Sequence, residues 1–217
     1  MRRRHATLAA VLVFAACGSD TAQDQTSAAT EAAANDAAAA RTQLVAQIRS
    51  ATEKYQDLGV AERDGYIPDP TGTCVSAAMV GLPESAGSMG LHYLRPDLLG
   101  ITAPTPPLSG TDGIIDVAQP EVLVYEPQAD GSMQLVAAEY LVFQDAWRAA
   151  GNTAPPTLAG EPFVPMVDDP ATAMDEAHGF TPHYELHVWL YRDNPTGLFA
   201  EFNPNVSCAH GSTGMQM

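Results

Sequence analysis

The sequence predicts an α+β domain in which one amphipathic helix lies against an antiparallel β-sheet or small barrel. Two observations carry this. Leu44, Ile48, Ala51, Tyr55 and Leu58 step by four, three, four and three, the spacing that lines one face of a helix. Further on, Glu121–Tyr125 and Leu135–Phe143 are rich in branched and aromatic residues and flank Asp130-Gly131. That dipeptide favours hairpin turns, so the two runs should pair antiparallel.

The chain opens MRRRHATLAAVLVFAACGSD, with three arginines before an apolar stretch from Ala6 to Ala16. This is the pattern of an export signal, and the stretch falls short of the ~20 residues that a spanning helix needs. Its end, Phe14-Ala15-Ala16-Cys17, resembles the lipobox of bacterial lipoproteins, in which the cysteine is lipid-modified and becomes the first residue. Acyl chains on Cys17 would tether the protein to a lipid bilayer, each buried methylene contributing about 0.8 kcal/mol. The sequence that follows is small, polar and acidic up to Leu44 and has too few apolar groups to order itself. Residues 1–16 are therefore read as a lipoprotein signal peptide, 17–37 as the lipidated cysteine and a disordered tether, and 38–217 as a single globular domain. The expected location is the cell envelope, on the periplasmic side of the outer membrane in a Gram-negative cell.

Losing Arg2, Arg3 and Arg4 with the signal would take the formal charge from −16 to −19. Such a surface repels phosphate backbones and attracts cations, so nucleic acid is not an expected partner. Cys74 and Cys208 remain. In an exported chain an even pair predicts a disulfide more often than paired ligands, and closing so long a loop should add roughly 4 to 5 kcal/mol in the chain-entropy model.

The helix is expected from about Ala38 to Asp57, with a second short one over Val60–Gly65 before Tyr66-Ile67-Pro68-Asp69-Pro70 enforces extended backbone. Thr71 to Pro120 is rich in Gly, Pro, Ser and Thr and reads as loops with short strands. Phe180 to Arg192 is the third convincing strand, Leu198 to Phe202 a possible fourth, and Trp147 is expected on a short helical turn.

In His183-Tyr184-Glu185-Leu186-His187-Val188-Trp189, a strand turns His183, Glu185, His187 and Trp189 to one face and Tyr184, Leu186 and Val188 to the other. A helix would also align the histidines, but Val188, Trp189 and Tyr191 favour a strand. The order His-Glu-x-x-His of zinc-peptidase helices is also missing. Imidazole nitrogens with a neighbouring carboxylate suit zinc, copper, nickel and iron, and one strand cannot fill a coordination sphere. His92, after Gly90, and Glu139, set among apolar residues that share its face under strict alternation (Leu135, Ala137, Leu141 and Phe143), are the candidate partners. A buried carboxylate without a partner is costly. The alternatives are ordinary ones: solvated histidines, a surface Glu185, and Glu139 paired with Arg148 or Arg192. His178 and His210 lie beside glycines in loops and are expected to face solvent. No nucleophile elbow, P-loop or dinucleotide fingerprint occurs.

The series Met89-Gly90-x-His92-Tyr93, Pro120-Glu121-x-Leu123-Val124-Tyr125-Glu126-Pro127, Leu135-Val136-Ala137-x-Glu139-Tyr140, Leu186-His187-Val188-Trp189 and Asn203-Pro204-x-Val206-Ser207-Cys208 resembles a family of small exported bacterial proteins without assigned activity. A fainter likeness is to the oil-body-associated protein family, where a His-Tyr element, a Gly-Val-Glu-Tyr strand and a Trp-His-x-His-x-Tyr-Glu segment occur in the same order. That likeness implies that His92, Glu139 and the histidine strand converge. Three readings follow. The first is a lipid-anchored domain that holds a divalent transition metal, zinc or copper, through His92, Glu139, His183 and His187, with Glu185 a further ligand or an orienting group. The second is a small cupin-like barrel that acts on a small molecule in a pocket lined by Tyr93, Tyr140 and Trp189. The third is a metal-free envelope interaction module.

Overall fold

The computed structural model describes residues 20–103, 105–171 and 175–211, with side chains from Thr30 onward. The expected export signal and Cys17 lie outside these residues. In chain order the helices are α1 (Asp20–Thr52), α2 (Leu58–Arg63), α3 (Pro96–Leu99) and α4 (Gln144–Ala149). The strands are β1 (Ile67–Pro68), β2 (Val75–Ser76), β3 (Ser88–Leu94), β4 (Val122–Pro127), β5 (Met133–Phe143), β6 (Thr157–Leu158), β7 (Glu161–Pro162), β8 (Val164–Met166) and β9 (His183–Trp189). Among the described residues no helix is long and apolar enough to cross a membrane.

The helix begins at Asp20, within the expected tether and well before the expected Ala38, because Ala, the strongest helix former, dominates this stretch. Contacts divide the chain after Ala39, and the domain proper is the unit that starts at Ala40. In that unit Ile48 is fully buried, with Leu44 and Val45 packed beside it. The α-helix ends at Thr52, whose hydroxyl donates to Ile48 O at 2.8 Å. A 3-10 turn over Glu53–Gln56 then continues the apolar stripe to Tyr55.

The main sheet runs β1-β3-β4-β5-β9-β8, with β2 added beside β3, and every pairing between its strands is antiparallel. It is open and not closed into a barrel, so of the two architectures the sequence allows, the helix-covered sheet is the one formed. β4 and β5 make the expected hairpin, in which Gln128 N donates to Ser132 O at 2.9 Å and Gly131 takes φ +83°. Leu198–Phe202 is not a strand. Trp189 ties it to β9 through its backbone N to Leu198 O at 2.9 Å and its indole Nε1 to Ala200 O at 2.6 Å, without a strand ladder, in a stretch flanked by Pro195, Gly197 and Pro204.

Alternation sorts the sheet into two faces. Ala138, Tyr140, Val142, Tyr184, Leu186 and Val188 form an apolar cluster with Ile48. Leu123, Tyr125 and Tyr93 continue this face toward Tyr55 and Tyr66. A register shift between Val124 and Tyr125 leaves Val136 unpaired, since Val124 faces Ala137 while Tyr125 faces Leu135. This bulge moves Leu135 onto the helix face, so it does not share a face with Glu139 as strict alternation predicts. A disulfide joins Cys74 to Cys208 with Cα atoms 5.5 Å apart.

Candidate metal centre

The face away from the helix carries the polar residues. Pairing sets Glu139 directly opposite His187 and next to Val122, while His92 lies on β3 opposite Val124. His92 and Glu139 are thus separated by one strand, about 10 Å of sheet. Only valines stand between them on that face, and long side chains can meet above them. Gly90, two residues before His92, has φ +125°, and a Cβ there would lie 2.7 Å from Tyr125 O. This position demands glycine, and it brings β3 close to β4.

His92 Nε2 lies 3.3 Å from Glu139 Oε2, and His187 Nε2 lies 3.5 Å from the same oxygen. One donor atom from each of the three residues falls within 4.8 Å of the other two. Donors held about 2.0–2.2 Å from a tetrahedral zinc ion are about 3.3–3.6 Å apart, so two of the three separations already match a coordination polyhedron. Although close, these atoms are not aligned for hydrogen bonding. Glu139 Oε2 and His187 Nε2 have no hydrogen-bond partner among the described residues, yet both side chains are only 2% exposed.

Burial pushes His92 and His187 down to about 4, so both imidazoles are neutral at pH 7 and have lone pairs to offer. Burial, reinforced by the charge of nearby Glu185, raises Glu139 well above the usual carboxylate range. Burial alone would raise Glu185 as well, but its contact with His183 holds it below that range. Of the two carboxyls Glu139 therefore keeps the proton, which a bound cation would displace.

His183 is not brought into the cluster. Four residues along a strand separate it from His187 by about 13 Å. Its Nε2 faces Glu185 Oε2 at 3.3 Å and its Nδ1 faces Thr181 O at 3.1 Å. Glu185 stands between the histidines, with Oε1 4.0 Å from His187 Nδ1 and without a hydrogen-bond partner among the described residues. That is where a carboxylate that orients a ligating imidazole belongs. Trp189 stacks on His187 at 5.8 Å between ring centroids and packs with Val124, Ala137 and Val206.

Tyr93 and Tyr140, expected in the pocket, are on the opposite face, in the cores beneath the helix. Each adjoins a site residue in sequence, and adjacent strand residues point to opposite sides. Arg148 and Arg192 do not reach Glu139. Arg148 donates to Gln144 at 2.8 Å and Arg192 to Glu126. His210 is exposed as expected. His178 is not solvent-facing, because its Nε2 is buried against the site face. Nothing in the pattern around His178-Gly179 distinguishes it from His210-Gly211, which explains why sequence reasoning passes over it. Comparison of the chain with protein-family models, with curated proteins and with solved structures finds no match.

Proposed function

We propose that this chain is an exported, lipid-anchored protein of the cell envelope whose domain binds a single transition-metal ion through His92 Nε2, Glu139 and His187 Nε2. The observation that carries the metal reading is the pair of buried, unpartnered atoms, Glu139 Oε2 and His187 Nε2, 3.5 Å apart. An unmade bond at a buried polar atom costs roughly 1–3 kcal/mol, and a cation between the two relieves both. The donor set of two imidazoles and a carboxylate suits zinc or copper. Glu185 orients His187, and His183 holds Glu185. The anchoring half of the proposal rests on the arginine-led apolar start and on Phe14-Ala15-Ala16-Cys17.

Metal analysis of the purified chain after zinc loading and desalting tests the metal reading. One ion per chain is expected, lost in His187→Ala and Glu139→Gln. Retention of stoichiometric zinc by both folded variants would sink it. Incorporation of labelled fatty acid, abolished by Cys17→Ser, tests the anchor, and an unlabelled wild-type chain would remove it. A second reading has its own support. Three protein ligands leave a fourth tetrahedral position, and a cavity opens beside them, as in catalytic more than structural zinc sites.

A further inference from the structure

The cavity measures about 360 Å³ and is lined on one side by His92 and Glu139. Its apolar surface comes from Leu94, Val122 and Leu141 of the sheet together with Phe180. These residues belong to one buried cluster that flanks the polar centre. Asp69, Asp175 and His178 supply polar wall. A dry cavity of ~150 Å³ takes up benzene, so this volume admits one ring with substituents, within the range of small-molecule sites.

His178 makes this more than a gap in packing. Its φ is +52°, in the left-handed region that non-glycine residues seldom occupy and that costs about 1–3 kcal/mol when it is enforced. The loop enforces it. Gly179 N donates to Asp175 Oδ1 at 2.9 Å, Phe180 N to Ala177 O at 3.0 Å, and Leu108 N to Gly179 O at 2.7 Å. The outcome is an imidazole whose buried Nε2 has no partner among the described residues. A hydrogen-bonding group held in a strained conformation on the wall of a largely apolar cavity is built for a guest.

We propose that the cavity binds a small uncharged organic molecule with an apolar body and one hydroxyl or carbonyl oxygen, the oxygen meeting the bound ion and the molecule hydrogen-bonding His178 Nε2. This rests on the metal reading above. Charge selects against anions. Burial pushes Asp69 up, but its carboxylate accepts from Thr71 N at 2.7 Å and Gly72 N at 3.2 Å, bonds that favour its charged form at the wall. Asp175 and Glu185 add theirs. An organic cation is met at the other end by the metal ion. A neutral guest meets neither penalty.

Cobalt(II)-loaded full-length chain, whose visible bands report on the coordination sphere, tests this with benzyl alcohol, benzoate and benzylammonium as probes. Benzyl alcohol should shift the bands saturably, with benzoate and benzylammonium at least tenfold weaker. His178→Ala should weaken benzyl alcohol at least fivefold with cobalt still stoichiometric, and His178→Gln, which restores a hydrogen-bonding group, should recover part of that loss. Stoichiometric cobalt with bands that no probe moves would overturn the guest site and leave the metal reading standing. Tighter binding of either charged probe would overturn the uncharged class, and an unaltered His178→Ala variant would overturn its role. Failure to take up cobalt would overturn this proposal together with the metal reading on which it rests.

Discussion

The two faces of one strand, β5, are chemically opposite. Ala138, Tyr140 and Val142 enter an apolar cluster under α1, where dispersion and area removed from water dominate and the one hydroxyl, that of Tyr140, donates to Val117 O at 2.8 Å. Glu139, one residue away and equally buried, faces two imidazoles and forms no aligned hydrogen bond through Oε2. The first face needs nothing beyond the chain itself. The second has polar atoms buried without hydrogen-bond partners among the described residues, and within a single strand that contrast separates residues packed for the fold from residues whose bonding is incomplete.

The largest effect should come from breaking the polar face. Glu139→Gln or His187→Ala should weaken zinc at least a thousandfold, about 4 kcal/mol, in competitive chelator titrations. Metal-free Glu139→Gln should nonetheless unfold in urea no earlier than wild type, because it replaces a buried carboxyl whose Oε2 has no hydrogen-bond partner among the described residues. A clearly less stable metal-free variant would mean that Glu139 is a structural group and would erase the contrast. Next in size is the helix face. Leu186→Ala, 2% exposed, should cost roughly 2–5 kcal/mol in urea unfolding, while the folded protein still binds its ion with unchanged affinity.

Glu185→Gln sharpens the comparison inside the polar face. Loss of an orienting carboxylate typically costs 10–100-fold in metal affinity, so this variant should fall between wild type and the ligand changes; a full ligand-sized loss would make Glu185 a ligand itself. A slope with pH probes the same polar face without a substitution. His92 and His187 sit at about 4 in the fold against about 6.5 in the unfolded chain. The unfolded state therefore binds more protons between those values. Stability of the metal-free protein should fall as pH drops from about 6.5 to 4, by up to about 1.4 kcal/mol per pH unit for each histidine. Glu139 acts in the other direction, because its folded value is raised and its contribution is lost as pH rises. Zinc takes the place of that proton, so the zinc-induced rise in Tm should grow from pH 5 to pH 8. A rise that shrinks over that range would contradict displacement of a proton from Glu139.

β4, β5 and β9 are legible in the sequence because branched and aromatic runs, two of them joined by a turn dipeptide, leave little choice. His187 and Glu139 were legible for the same reason, as polar residues in otherwise apolar strands. β3 is not legible as a strand of its own, since Gly90 breaks the propensity signal for the very reason the fold requires it, a close approach to Tyr125 O. His92 was nonetheless singled out by its place beside that glycine. Alternation places Tyr93 and Tyr140 on the helix face, opposite the site residues beside them, and Leu135 is moved by a bulge that no residue type announces. The role of His178 lay beyond sequence reasoning altogether, because it depends on one backbone angle and on which loop covers the sheet.

The cross-link between Cys74 and Cys208 bears on how such a molecule matures. Thr73 and Val75, on either side of Cys74, both line the cavity, whereas the three donors stand on β3, β5 and β9, none of which carries a cysteine. Reducing the cross-link should therefore loosen the cavity wall around Thr73 and Val75 while the arrangement of donors on the three strands stays intact.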